Sequence, residues 1–158
     1  MSGSSSRTLI AGFGNVLRGD DGFGVEVVRR LQVEENQPEG VELLEVGTGG
    51  IALAQALLTP YERLVVVDAM KRGGKPGTVY VLRVDSVDAL RSVDMHMAVP
   101  SKALGLAQAI GALPAHVFMV GCEPGEVDEL DMTLSAPVQD AVGYAVQEIR
   151  RLLAGEAR

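Results

Sequence analysis

The chain has 158 residues, 47% of them hydrophobic and 22% charged, with Trp absent and aromatics at 4%. That is enough for one domain around a single aliphatic core, and it excludes a disordered composition. A net charge of -7, with no Lys/Arg cluster longer than two adjacent residues, argues against a nucleic-acid partner, because binding phosphates needs a basic face to displace counterions.

The N-terminal MSGSSSR has no apolar signal stretch, and no run of roughly 18 apolar residues suits a membrane span. Residues 1–7 therefore read as a disordered tail, 8–154 as one domain and 155–158 as a frayed end. Thr8 to Gly14 is a short apolar strand running into glycines, and Gly22 to Val33 places Val25, Val28 and Leu31 at helical spacing. Val41 to Val46 reads as a second strand, Gly50 to Leu58 as a helix, and Arg63 to Ala69 as a continuous apolar strand buried on both faces. KRGGKPG at 71–77 is a loop, Thr78 to Val84 an alternating strand suited to a sheet edge, and Pro100 to Leu113 a helix. His116 to Cys122 is the last strand. Ser135 is placed to N-cap a final helix, with Pro137 in its first turn and Val138, Val142, Ala145, Ile149 and Leu152 as its buried stripe.

Strands alternating with helices predict an α/β fold: a single three-layer domain with a mostly parallel twisted sheet of about five strands and helices on both faces. Sites in such sheets form beyond the carboxyl ends of the strands. That directs attention to the loop after Gly14, to Asp68 and to Cys122 with Glu123.

GFGNVLRGDDGFG at 12–24 carries the densest signal. A strand entering a glycine turn suggests a dinucleotide fingerprint, but the spacing is Gly-x-Gly-x-x-x-x-Gly and two acids follow where a pyrophosphate would sit, which weakens that reading. Asp20 and Asp21 could equally cap a helix, and this structural role competes evenly for Asp20, whereas Asp21, within a glycine-flanked acidic pair, is read as functional. Asp68 ends a buried strand, where a carboxylate must be paired or hold a ligand, unless it merely caps a loop. His96, just before a helix, is either structural or a ligand, and His116, which opens a strand, is read as structural. Two carboxylates and an imidazole would suit a divalent transition metal with open coordination positions. HExxH and GxSxG motifs are absent. Cys122, the single cysteine, excludes an internal disulfide, fits a reducing cytoplasmic setting and at the end of an apolar strand reads as packing.

Together GFGNVLRGDDGFGVEVVRRL at 12–31, LVVVDAM at 64–70, KPGTVYVL at 75–82, VFMVGCEP at 117–124 and LSAPVQDAV at 134–142 resemble the endopeptidases that mature nickel-iron hydrogenases, in order along nearly the whole chain. The resemblance implies an enzyme that removes a C-terminal peptide from the nickel-loaded large-subunit precursor. The nickel arrives with the substrate, so no tightly bound metal of the enzyme's own is expected. By motif, the implied catalytic and metal-contacting residues are Asp21, Asp68 and His96. Another register would put the third on Lys102, a poor nickel ligand when charged. The four-residue step from His96 to Pro100 favours His96, although Met97 to Val99 depart from the family's usual sequence. Gly47, Gly49, Gly50 and the 71–77 loop are candidates for holding the substrate tail. Rival readings are a nucleotide-dependent enzyme, a nickel chaperone without catalysis, and a carboxylate pair sharing a proton as in acidic proteases.

Overall fold

The structure is a computed structural model that describes residues 7–34, 37–87, 98–125 and 133–155. The expectations for 1–6 and for 156–158 lie outside these residues. Five strands form one sheet: β1 (Thr8–Phe13), β2 (Val41–Gly47), β3 (Arg63–Ala69), β4 (Val79–Arg83) and β5 (His116–Cys122), in the order β2-β1-β3-β5-β4. All neighbouring pairs are parallel except β4 with β5, so the alternating strand at 79–83 takes the edge position its pattern predicts and runs antiparallel there.

Alternation along each strand divides the core in two. Ile10, Val65, Val67 and Val120 face one side, where α1 (Phe23–Gln32) contributes Phe23, Val28 and Leu31 and α4 (Ala136–Leu153) contributes its predicted stripe. Leu9, Ala11, Leu64 and Val66 face the other, beneath α2 (Ile51–Ala56) and α3 (Ala98–Ala109) through Leu53, Ala103 and Leu104. The three-layer α/β fold follows from that double burial. Each fully buried Phe or Leu contributes roughly 1.5–3 kcal/mol.

Several ends differ from the sequence reading by a residue or more, two of them for clear local reasons. The third helix stops at Ala109, not Leu113, because Gly111 turns left-handed at φ 74° and Ala112 N–H reaches back to Ala107 C=O at 2.8 Å, a Schellman closure. The first helix starts at Phe23, after a separate 3-10 turn over Gly19–Gly22 that contains both aspartates.

Candidate active site

β1 lies between β2 and β3, so its onward connection leads to one side of the sheet while the strand after β2 returns on the other. This is the switch point at which a crevice opens beyond the carboxyl ends of a parallel sheet. Asp21 follows β1 in the 3-10 turn, that turn packs against β3, and Asp68 is the penultimate residue of β3. The two sequence-predicted acids thus come from neighbouring strands at one edge. His96 lies outside the described residues. Among the described residues no group of three His, Cys, Asp or Glu side chains is disposed to hold a metal ion. Lys102 is exposed on α3.

The glycines of the 12–24 segment serve the protein's own packing. A Cβ on Gly14, which sits at φ 130°, would lie 1.9 Å from Asp21 O, and one on Gly24 would lie 2.1 Å from Val67 O and 2.4 Å from Phe13 O. At Gly14 and Gly24 backbone is brought close to backbone, so these two glycines are required by the fold itself. The amides are also committed internally. Gly14 N–H donates to Gly47 C=O, Arg18 N–H to Asn15 C=O, Asp21 N–H to Arg18 C=O, and Leu17 N–H to the Asn15 side chain. A phosphate would find none of these four donors free, which further weakens the nucleotide reading.

The adjacent acids have separate surroundings. Asp20 is 1% exposed and caps no helix of its own, since α1 has no side-chain cap. Its carboxylate accepts Gly125 N–H at 2.8 Å, Ser135 N–H at 2.6 Å and the Ser135 hydroxyl at 2.8 Å. Ser135 does occupy the N-cap position of α4, but its hydroxyl is donated to Asp20 and makes no cap bond, which corrects its expected role. A carboxylate at the positive end of that 18-residue helix is favourably placed. Asp21 is only half-buried, and its Oδ2 accepts Asn15 N–H at 3.0 Å. The contact of Asn15 with Asp21 was not legible in the sequence. Its signal was an Asn directly after a glycine turn, where the side chain folds back on the backbone.

Asp68 is 6% exposed, and its Oδ1 accepts the next amide, Ala69 N–H, at 2.8 Å. Between the ends of β1 and β2 a cleft of about 290 Å³ is lined by Asn15, Leu17, Arg29, Glu45, Gly47 and Thr48; neither Asp21 nor Asp68 is on its wall, and Asn15, which donates its N–H to Asp21, connects the cleft to that acid. Gly47, expected to help hold a substrate tail, is thus on its wall.

At the end of β5, Glu123 is 6% exposed, and its Oε1 accepts Arg72 N–H at 2.8 Å, Gly74 N–H at 3.1 Å and the Tyr80 hydroxyl at 2.7 Å. Burial would raise its carboxyl, but these donors outweigh burial and hold it below the usual range. Its role as a loop anchor was missed, because partners some fifty positions away leave no pattern in a sequence. The Cys122 thiol is pushed up to about 12, first by burial and then by the nearby charge of Asp20, so it stays protonated at neutral pH and acts as packing. His116 stands at the opposite end of β5, about 20 Å of strand away, with Nδ1 2.9 Å from the Arg83 guanidinium.

The family model for the hydrogenase maturation protease HycI matches residues 25–152. The chain is 34% identical over 150 residues to the hydrogenase expression/formation protein HupD of Rhodobacter capsulatus, covering 93% of this chain and 71% of that one. It is 37% identical over 142 residues to HupM of Azotobacter chroococcum, covering 88% and 68%. Its structure is similar to that of the hydrogenase maturating endopeptidase HybD from E. coli, with a TM-score of 0.84, 27% identity, and 96% and 94% of the two chains covered. With the fold and these likenesses in agreement, the chain belongs to the hydrogenase maturation proteases, endopeptidases that trim the C-terminus of a hydrogenase large subunit.

Proposed function

We propose that the substrate is the nickel-loaded form of the precursor and that Asp21, Asp68 and His96 contact the nickel it carries. The observation that supports this best is the emergence of Asp21 and Asp68 from adjacent parallel strands at the switch point, one half-buried and one almost wholly buried. Two carboxylates gathered in a partly dry crevice repel one another, and a dication between them relieves that repulsion. A neutral imidazole from His96 completes a hard and borderline donor set of the kind divalent nickel accepts.

In this reading the enzyme's residues position the substrate. Asp21 is held by Asn15 N–H, and Asp68 is oriented through Ala69 N–H, so both carboxylates are aimed before the precursor arrives. Fixing the nickel fixes the peptide bond beside it, converting recognition into orientation. The ion then polarises the scissile carbonyl or lowers the pKa of the attacking water. The cleft between β1 and β2 receives the residues flanking the cut. We place this chemistry in the cytoplasm, where the single buried thiol would stay reduced. No helix among the described residues is long and apolar enough to cross a membrane.

The test is removal of the tail from nickel-loaded precursor, followed by mass spectrometry, for Asp21→Asn, Asp68→Asn and His96→Ala. Each variant is expected to keep its fold and to lose processing by at least a hundredfold. Normal processing by His96→Ala with loss in Lys102→Ala would transfer the third contact to Lys102, and normal processing by Asp21→Asn would overturn the metal-contact reading.

A further inference from the structure

The loop from Lys71 to Gly77 connects Met70, two residues beyond Asp68, to β4, and it places Lys71, Arg72 and Lys75 within five residues of a chain that is otherwise acidic, at a net -7. All three are exposed. Among the described residues neither Arg72 nor Lys75 makes an ion pair, and Arg72 stacks over the Tyr80 ring with its guanidinium carbon 5.5 Å from the centroid. With glycines at 73, 74 and 77, such a loop would sample many conformations if left alone. It is instead fastened to the sheet. Glu123 accepts Arg72 N–H, Gly74 N–H and the Tyr80 hydroxyl on one carboxylate oxygen, its carbonyl accepts Gly77 N–H at 2.8 Å, and its own N–H donates to Thr78 C=O at 2.8 Å.

Desolvating a carboxylate to order an exposed glycine-rich loop is costly, and packing gives no reason for it, because the ordered residues bury almost nothing. What the anchoring does achieve is a fixed cationic ridge at the carboxyl edge of the sheet. Relative to the aspartates the ridge lies on the β5 and β4 side, and the cleft lies on the β2 side. A polypeptide crossing Asp21 and Asp68 therefore has one part in each. A cleft of about 290 Å³ admits a short peptide stretch, whereas an open ridge accommodates the surface of a folded body.

We propose that the Lys71–Gly77 loop is a docking element for acidic side chains on the folded body of the precursor, and that Glu123 is a positioning residue that acts through it. The proposal rests on the protease reading above, and it adds a surface on which productive capture depends. An enzyme of net negative charge repels an acidic partner at long range, and a local, pre-ordered basic contact offsets this and sets the orientation.

The experiment measures binding and turnover separately, on the intact protein with nickel-loaded precursor. Calorimetry gives Kd, and a mass-spectrometric time course gives kcat and KM, at 50 and 300 mM salt. The double variant Arg72→Ala, Lys75→Ala is expected to raise Kd and KM about tenfold at low salt, to change kcat less than twofold, and to flatten the salt dependence seen in the unaltered enzyme. Glu123→Gln should raise KM in the same direction and speed hydrogen exchange at the Arg72 and Gly74 amides, while Glu123→Asp should restore part of both. Amidating the tail's terminal carboxylate should leave Kd unchanged. Unchanged Kd and salt slope in the double variant would overturn the docking role even if processing is normal. A tenfold loss on amidation alone would overturn it in favour of tail-end recognition. If the unaltered protein binds the precursor but never cleaves it, the protease reading fails while the binding comparison still judges the loop. If it does not bind at all, both fall.

Discussion

Asp20 and Asp21 share a turn, yet one carboxylate holds three internal donors and the other accepts a single backbone N–H, that of Asn15. Removing a buried anion from three donors leaves them unsatisfied, so Asp20→Ala should cost about 3 kcal/mol, read as a lower urea midpoint with unchanged slope. Asp21→Asn should shift stability by no more than about 1 kcal/mol, because the side chain is half-exposed and the amide oxygen still accepts from Asn15. Processing is expected to respond in the opposite order, with Asp21→Asn inactive and Asp20→Ala retaining activity wherever it remains folded. The sequence made the placement of Asp21 and Asp68 at the sheet's carboxyl edge legible, because one follows the glycine turn after an apolar strand and the other comes at the end of one. It could not show that Asp20 reaches Ser135, since a hydrogen bond spanning 115 positions produces no periodicity. Nor could it show Asp68 to be only 6% exposed, which makes its substitution more costly than that of a solvent-facing ligand.

The strands were legible because buried parallel strands need continuous aliphatic runs, and helix stripes because one face meets the sheet. What the periodicity did not reveal was where packing forbids side chains. Gly24 brings α1 against both β1 and β3, and a Cβ there would lie 2.1 Å from Val67 O, too close for backbone that is fixed on both sides. Gly24→Ala should therefore destabilise by about 3 kcal/mol or more, whereas Gly111→Ala, with open space around it and only a positive φ to lose, should cost about 1 kcal/mol. Urea unfolding of the pair checks the ordering. The 71–77 loop gives an acid-side prediction. The folded value of Glu123 is lowered, so its contribution is complete above the ordinary glutamate value of about 4.3 and is lost as pH falls through the lower folded value. Stability measured from pH 6 downward should thus fall less steeply below about pH 4 in Glu123→Gln than in the unaltered protein. Parallel curves would show that Glu123 does not carry the acid sensitivity.

At the scale of the whole molecule, the order β2-β1-β3-β5-β4 makes β1 and β3 neighbours at the switch point, so the segments that carry Asp21 and Asp68 leave the sheet side by side. Strand order itself is set by long-range packing that no local pattern records. The sequence therefore indicated that the acids lie at a carboxyl edge but left open whether they share it. The cleft, the two acids and the anchored basic loop then lie along one edge, which suits an enzyme that must orient a large substrate. In the mechanism proposed above, nickel in the precursor, and not the sequence of the tail, licenses the cut. Discrimination of a hundredfold needs only about 2.7 kcal/mol of differential binding, which a dication between two carboxylates readily supplies. The most direct test presents one precursor with and without nickel, with the tail identical, and follows the C-terminus by mass spectrometry over time. At least a hundredfold faster tail removal from the nickel-loaded form is predicted, and equal rates would contradict the account.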